Sequence, residues 1–326
     1  ALDFGAQTGA GLYTVTASDA TTACTGNMSG SAVITTNPAP AVFTMTGGGG
    51  YCAGGTGMHV GLSGSTPGIT YQLYNGSPIG GAVPGTGSAL DFGLKTTGGS
   101  YTVVANNALT GCNANMAGSA AIIVNPVPNV YTVTGGGSYC AGTGGVHVGI
   151  NGSDPGVNYQ LFSGGTPAGG PVSGTGIPLD LGTETTAGTY TVVAADGASA
   201  CAMNMSGSTA VSINPLPAAY TVTGGGHYCA GSTGLAVNLS GSHTGISYQL
   251  YNGTTAFGGA ITANGSAFDF PPLTTVGTYT IKATNLKTTC SAFMLGSTTV
   301  NTNPKPNVYT LTGGGTYCAG SGGADV

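Results

Sequence analysis

The sequence repeats itself every 88 or 89 residues, and this period constrains the fold more than any other feature. The motif Tyr-Cys-Ala-Gly occurs four times, and we call its cysteines the motif cysteines: Cys52, Cys140, Cys229 and Cys318. Four more cysteines follow the same steps, and we call them the second-set cysteines: Cys24, Cys112, Cys201 and Cys290. The period predicts a tandem array of one small domain.

An Asn-Pro-x-Pro segment closes every copy, at residues 37–40, 125–128, 214–217 and 303–306. Two prolines so spaced favour a short, extended and semi-rigid connector, so we place the domain boundaries there. The boundaries define three full repeats: the first (39–126), the second (127–215) and the third (216–304). Partial repeats flank them, a C-terminal half at 1–38 and an N-terminal part at 305–326. Both ends fall inside a repeat, which leads us to expect a longer array.

Alternating apolar residues predict seven short strands in each full repeat. In the second repeat they are expected around 130–134, 146–150, 157–162, 169–173, 179–181, 190–194 and 210–213. The run Gly135 to Gly137 is expected to break the first strand, leaving the motif cysteine in a loop. Asn-Gly at Asn75-Gly76 and Asn252-Gly253 predicts a type I′ hairpin turn.

Seven strands in 89 residues, with no helical period, predict an all-β fold. The array should consist of immunoglobulin-like seven-stranded β-sandwich domains with essentially no α-helix. A Gly-x-Tyr segment precedes the sixth strand and is typical of a tyrosine corner, with the tyrosines Tyr13, Tyr101, Tyr190 and Tyr279. The core of such a small, glycine-rich domain is thin, so covalent cross-links are expected.

Two disulfide pairings are open. Within domains, Cys52 would bond Cys112, Cys140 would bond Cys201, and Cys229 would bond Cys290. Between domains, Cys52 would bond Cys201, and Cys140 would bond Cys290. Strand topology favours the second pairing, because it puts the two cysteines of one domain about 20 Å apart at opposite poles, beyond the ~7 Å limit between Cα atoms. The long glycine loop could still fold back and keep the first pairing open.

Composition excludes several classes of function. The chain has no arginine, four lysines and a net charge of −5, so it lacks the basic face that a nucleic-acid partner requires. No apolar run approaches the ~20 residues of a transmembrane helix. The cysteine spacings do not suit a metal site, and no cluster of titratable groups indicates an enzyme. We therefore predict no catalytic residue, no metal and no cofactor.

Three recurring residue types were weighed as sites. His59 and His147 alternate with apolar residues and are expected to point outward without a function. The recurring aspartates are expected to face outward or cap turn amides, with a calcium site as the alternative; they are Asp3, Asp91, Asp180 and Asp269. The recurring tyrosines are expected to pack in the core or anchor loops, with contact to a ligand or to a neighbouring strand of a fibre as the alternative; they are Tyr51, Tyr139, Tyr228, Tyr317, Tyr71, Tyr159 and Tyr248.

The segment 131–142, the strand 157–161, the strand 187–194 and the closing Ile213–Pro217 together resemble Ig-like tandem repeats of very large Bacteroidota surface proteins. Some of these are gliding-motility adhesins exported by type IX secretion. The resemblance implies an extracellular, cell-surface location and brings no catalytic residue with it.

The predicted function is structural: a rod or filament at the bacterial cell surface, stiffened by disulfides. With 4% charged residues, its surface offers little repulsion between chains, so self-association into a fibre or bundle is expected. The alternative is an adhesin stalk or an array that binds a glycan or another surface ligand, which exposed loop tyrosines would favour.

Overall fold

A computed structural model describes residues 1–326, which form 31 β-strands and no helix. The partial repeat 1–38 has β1 Gly11–Tyr13, β2 Thr16–Ser18, β3 Thr25–Asn27 and β4 Ala32–Ile34. The first repeat has β5 Met45–Gly47, β6 Gly49–Cys52, β7 Met58–Leu62, β8 Thr70–Asn75, β9 Ser77–Pro84, β10 Leu90–Lys95, β11 Gly99–Asn106, β12 Asn113–Asn115 and β13 Ala120–Asn125.

The second repeat has β14 Val133–Gly135, β15 Gly137–Cys140, β16 Val146–Ile150, β17 Val157–Ser163, β18 Thr166–Ser173, β19 Leu179–Glu184, β20 Gly188–Asp196, β21 Ala202–Asn204 and β22 Thr209–Asn214. The third has β23 Val222–Gly224, β24 Gly226–Cys229, β25 Val237–Leu239, β26 Ile246–Asn252, β27 Thr255–Thr262, β28 Phe268–Asp269, β29 Gly277–Asn285, β30 Ser291–Phe293 and β31 Thr298–Asn303. No strand forms in 305–326.

Each full repeat is a sandwich of a small and a large sheet. In the second repeat the small sheet has the order β14-β16-β19, and the large one β15-β22-β20-β17-β18, with β21 beside β20. The first and third repeats have the same arrangement. The predicted all-β fold of tandem Ig-like domains is confirmed.

The chain from the first predicted strand to the motif cysteine forms two strands, one in each sheet. Its first part, β14, pairs antiparallel with β16, and its second part, β15, pairs parallel with β22. The glycines at 135–137, expected to end the strand, instead let the chain cross from one sheet to the other. The expectation that the motif cysteine lies in a loop was therefore wrong: Cys140 is the last residue of β15 and lies opposite Asn214. Together with the short β21, this division gives nine strands where seven were counted.

Alternation along the central strands builds the core. Tyr159 and Leu161 of β17 lie beside Ala194 and Val192 of the neighbouring strand β20, and all four side chains are buried. The Tyr190 hydroxyl donates to the Thr186 carbonyl at 2.8 Å. The same bond, to the carbonyl four residues upstream, recurs at Tyr13, Tyr101 and Tyr279, so the tyrosine corner is confirmed.

The hairpin at Asn-Gly forms, but its predicted turn was wrong. Asn75 and Asn252 are the last residues of their strands and do not have positive φ. Their side-chain amides instead donate to Gly98 and Val276 carbonyls, at 3.2 and 3.4 Å, across to the next strand of the sheet. The first repeat has one residue between the paired ends of this hairpin, and the second has two. The first repeat is therefore one residue shorter, which explains why one step of the sequence period is 88 residues and not 89.

Candidate functional site: the junction between repeats

The end of each repeat is fixed by its own motif cysteine segment. Strand β6 runs parallel to β13, and Cys52 lies opposite Asn125, the first residue of the connector. The N–H of Ala53 donates to the Asn125 carbonyl at 2.8 Å. The equivalent bonds, Ala141 to Asn214 and Ala230 to Asn303, are both 2.9 Å long. Each motif cysteine therefore lies beside the point where the chain leaves for the next repeat.

The connector is packed against the repeats it joins. Its second proline is buried at Pro40, Pro128 and Pro217, each of which leads into a full repeat. Pro306, which leads into the partial repeat 305–326, is exposed. Because proline has a fixed φ and no N–H donor, it can be buried here without leaving a donor unpaired. The connector is therefore a packed part of the junction.

The other side of the junction is a short loop that presents the second-set cysteine. In the second repeat, Asp196 begins this loop, and its carboxylate Oδ1 accepts bonds from the N–H groups of Ala198 and Ser199, at 3.1 and 2.7 Å. The hydroxyl of Ser199 donates to the same oxygen at 2.7 Å. The N–H of Asp196 donates to the Cys201 carbonyl at 2.9 Å, which closes the loop.

The same loop occurs in every copy, and the sequence analysis missed it. An Asp or Asn stands five residues before each second-set cysteine: Asp19, Asn107, Asp196 and Asn285. The residue just before the cysteine has positive φ each time, between 57° and 69°: Ala23, Gly111, Ala200 and Thr289. Side chains of Asp and Asn hold turns of this kind by accepting backbone N–H bonds.

Two disulfides join neighbouring repeats in the structure. Cys52 is bonded to Cys201, and Cys140 to Cys290, each with a Cα–Cα distance of 5.5 Å. These are the two interdomain pairs that strand topology favours, and no intradomain pair is present. The thiols of Cys24, Cys112, Cys229 and Cys318 are free. Cys201 and Cys290 are fully buried, whereas Cys112 is half-buried and Cys24 exposed.

Each bonded junction is thus crossed twice by covalent structure. Between the first and second repeats, one crossing is the connector 125–128 and the other is the bond Cys52–Cys201. The second repeat is held in this way at both poles, because Cys201 bonds the first repeat and Cys140 bonds the third.

Acidification is expected to loosen the Cys201 loop. The N–H of Ser199, with its hydroxyl and the N–H of Ala198, lowers the pKa of Asp196 below its ordinary value. A lowered pKa means that this contribution to stability is full above the ordinary carboxyl pKa, near 4, and is lost as pH falls through the folded value. Amide exchange at residues 198–201, corrected for its intrinsic pH dependence, should rise between pH 5 and pH 2.

Asp196→Asn is the matched variant, because Asn285 holds the equivalent loop of the third repeat through bonds from Lys287 and Thr288 N–H at 2.9 and 3.2 Å. This variant should keep the loop and remove its acid response. An equal acid response in wild type and Asp196→Asn would contradict the assignment.

Three of the four recurring aspartates cap turns, as expected, and Asp3 accepts from Gly5 N–H at 2.9 Å. Asp91 accepts from Gly93 N–H at 2.8 Å and Asp180 from Gly182 N–H at 3.0 Å. Each also meets the exposed histidine of the neighbouring strand, with Oδ2 2.8 Å from His59 Nδ1 and 2.7 Å from His147 Nδ1. Sequence analysis missed this pairing, which depends on the register between the two strands.

The third repeat lacks both partners of its aspartate. Ala236 stands where the first two repeats have histidine, and Pro271, which has no N–H, stands where they have the capped glycine. Asp269 accordingly has neither bond, and β28 shrinks to two residues. The chain contains no group of three or more His, Cys, Asp or Glu side chains that could hold a metal ion.

The motif tyrosines anchor loops. The hydroxyls of Tyr51, Tyr139 and Tyr228 donate to the carbonyls of Thr96, Thr185 and Thr274. Tyr71, Tyr159 and Tyr248 are core residues whose hydroxyls accept backbone N–H bonds. The core and anchoring interpretation of these tyrosines is confirmed; Tyr317, in the partial repeat, is exposed. A cavity of about 870 Å³ is lined by residues of the partial repeat 1–38, among them Leu2, Tyr13 and Met28.

The structure contains no helix of the length and apolarity needed to cross a bilayer.

Comparison with known proteins agrees with this fold. Residues 217–304 match the family described as "Ig-like domain CHU_C associated". That stretch is the third repeat. No curated protein matches the chain. Similar solved structures include the full ectodomain of mouse nectin-like molecule 4 (12% identity, 80% of this chain and 99% of that one, TM-score 0.34). Others are Sidekick-1 immunoglobulin domains 1–4 (14%, 82% and 73%, 0.24) and chicken CNTN1 FN1–FN3 (11%, 81% and 99%, 0.27).

Proposed function

We propose that this chain is a non-catalytic structural array that forms a stiff extracellular rod, with the disulfide-bonded junction as its functional element. The observation that carries the proposal is the pair of bonds between repeats, Cys52–Cys201 and Cys140–Cys290. A disulfide inside a domain would stabilise that domain alone, whereas these bonds fix each domain relative to the next. Stable disulfides also favour an oxidising, extracellular location.

The surface suits assembly of such rods into a filament or bundle. With 13 charged side chains among 326 residues, neighbouring chains repel one another little. The edge strands β9 and β18 are nevertheless blunted by prolines, Pro78 and Pro84 in one and Pro167 and Pro171 in the other. The equivalent strand β27 has no proline, but all three strands are displaced from regular pairing by a bulge. Such features suppress uncontrolled edge-to-edge pairing. Self-association should therefore use side-chain faces of the sandwich.

Exposed loop tyrosines would favour an adhesin that binds a ligand. The hydroxyls of the recurring loop tyrosines instead donate to backbone carbonyls of their own repeat. This supports the rod over the binding array. A place among gliding-motility adhesins exported by type IX secretion is part of the proposal and rests on the resemblance of the repeats and on the match of 217–304.

Electron microscopy of single chains tests the rod. Without reductant, the angle between successive full repeats should show a narrow distribution; with dithiothreitol the distribution should broaden markedly. Cys112→Ser, which removes a free thiol, should behave as wild type. Equal distributions in both conditions would overturn the stiffening role. In native extracellular material, ordered filaments with an axial repeat of roughly 35–45 Å are expected, and isolated, variably bent threads would favour the stalk.

A further inference from the structure

We propose that the two disulfides also limit how far the chain can be stretched, so that the array bears tension without extending to the full length of its backbone. The proposal rests on the rod function proposed above and on one further observation, the interlocking of the two covalent loops. Cys140 lies inside the loop closed by Cys52–Cys201, and Cys201 lies inside the loop closed by Cys140–Cys290. The loops span 149 and 150 residues.

Interlocking shortens the covalent route between the chain ends. The shortest route runs 51 residues from Ala1 to Cys52, crosses to Cys201, returns 61 residues to Cys140, crosses to Cys290 and continues 36 residues to Val326. That route has 148 residue steps, against 325 along the backbone. The bonds therefore withhold 177 residues from extension, even when every repeat is unfolded.

The withheld length is large on the scale of the molecule. At about 3.3–3.6 Å per extended residue, 177 residues correspond to roughly 600 Å. An array without cross-links would release this length as its domains unfold under load. With both bonds present, tension passes to the two disulfides and the segment between Cys140 and Cys201 before the chain can lengthen that far.

Interlocked loops also respond to the loss of one bond in a way that separate loops do not. With only Cys52–Cys201 left, 149 residues stay withheld, and with only Cys140–Cys290 left, 150 residues. Losing the first bond of the two therefore frees only 28 or 27 residues, about 100 Å, and losing the second frees about 500 Å more. Either bond alone preserves most of the limit.

The intradomain pairing would withhold nearly the same total, 182 residues against 177, but would respond differently to the loss of single bonds. Bonds Cys52–Cys112, Cys140–Cys201 and Cys229–Cys290 would withhold 60, 61 and 61 residues in three separate loops. Their contributions would add independently. The response to single removals, rather than the total extension, is thus the diagnostic quantity.

Single-molecule force spectroscopy on the whole chain, pulled through peptide tags at its two ends, tests the proposal. The measured quantity is the contour length of the fully unfolded molecule. Oxidised wild type should be about 600 Å shorter than the same molecule in dithiothreitol, which supplies the two electrons and two protons that each disulfide takes up and itself closes to a cyclic disulfide. The double variant Cys140→Ser/Cys290→Ser should gain about 100 Å over oxidised wild type.

Cys112→Ser is the matched control and should leave the contour length unchanged, because this thiol is free in the structure. A gain of about 200 Å from Cys112→Ser, or of about 400 Å from the double variant, would overturn the proposal and indicate the intradomain pairing. No difference between oxidised and reduced wild type would overturn it as well. Because contour length does not report bending, the extension limit and the stiff rod can fail independently.

Discussion

Replacing Tyr159 by alanine is expected to lower the free energy of unfolding of the second repeat by about 3–5 kcal/mol, the usual cost of deleting a large buried aromatic side chain. Tyr159 lies in β17, is 0% exposed and belongs to the core of the second repeat. That core has 11 buried residues, so the removal of one ring leaves a cavity that few neighbours can fill.

Part of this loss belongs to the hydroxyl. Tyr159 Oη accepts the N–H of Asp154 at 2.8 Å, and burial raises the pKa of the phenol, so that it stays neutral. Tyr159→Phe keeps the ring and leaves this N–H without its partner. We expect it to cost about 1–2 kcal/mol. The difference between the two variants separates packing from the hydrogen bond.

Tyr317→Ala is the control for removing an exposed tyrosine. Tyr317 lies in the partial repeat 305–326 and is 60% exposed, so its replacement should change the free energy of unfolding of the full repeats by less than about 0.5 kcal/mol. Chemical denaturation, with hydrogen exchange on peptides of β17 and β20 to assign the transition to the second repeat, measures all three variants. A cost below about 1 kcal/mol for Tyr159→Ala would contradict the central role of this side chain.

The sequence period was enough to predict most of the fold and the positions of the cysteines within each repeat. Alternation predicted the strands because each has one buried face, as in β17. Because the two cysteines of one domain lie at opposite poles of the sandwich, strand topology placed Cys52 and Cys201 near each other across the junction. The structure has these two cysteines bonded. These features depend on periodicity and chain direction, both of which are visible in a single sequence.

The features that escaped prediction depend on register or on local backbone conformation. Three glycines in a row are typical of a loop, and nothing in their identity distinguishes a loop from a change of sheet at Gly135. His147 pairs with Asp180 across β16 and β19, whose register shifts at a bulge between Val148 and Gly149. The loop that presents Cys201 was hidden because its first residue alternates between Asp and Asn among the repeats.

Replacing Gly135 by alanine is expected to destabilise the second repeat by about 2–5 kcal/mol, because two costs act at one position. Its φ is +81°, in the region that side chains rarely adopt. A Cβ there would also lie 2.2 Å from the carbonyl oxygen of His147, a backbone atom of β16 that cannot rotate away. Either β14 separates from β16, or the crossing to β15 shifts.

Gly142→Ala isolates the contact from the backbone conformation. Gly142 has the same φ of +81°, and a Cβ there would meet nothing within 4 Å, so its cost should be about 1–2 kcal/mol. Because β15 ends at Cys140, a shifted crossing in Gly135→Ala should also displace this cysteine from Cys290 and leave part of the protein with two extra alkylatable thiols. Denaturation curves and thiol alkylation of both variants measure these effects. Equal stability of the two variants would mean that the contact with the His147 carbonyl is relieved without cost, and an unchanged thiol count would mean that the junction tolerates a misplaced crossing.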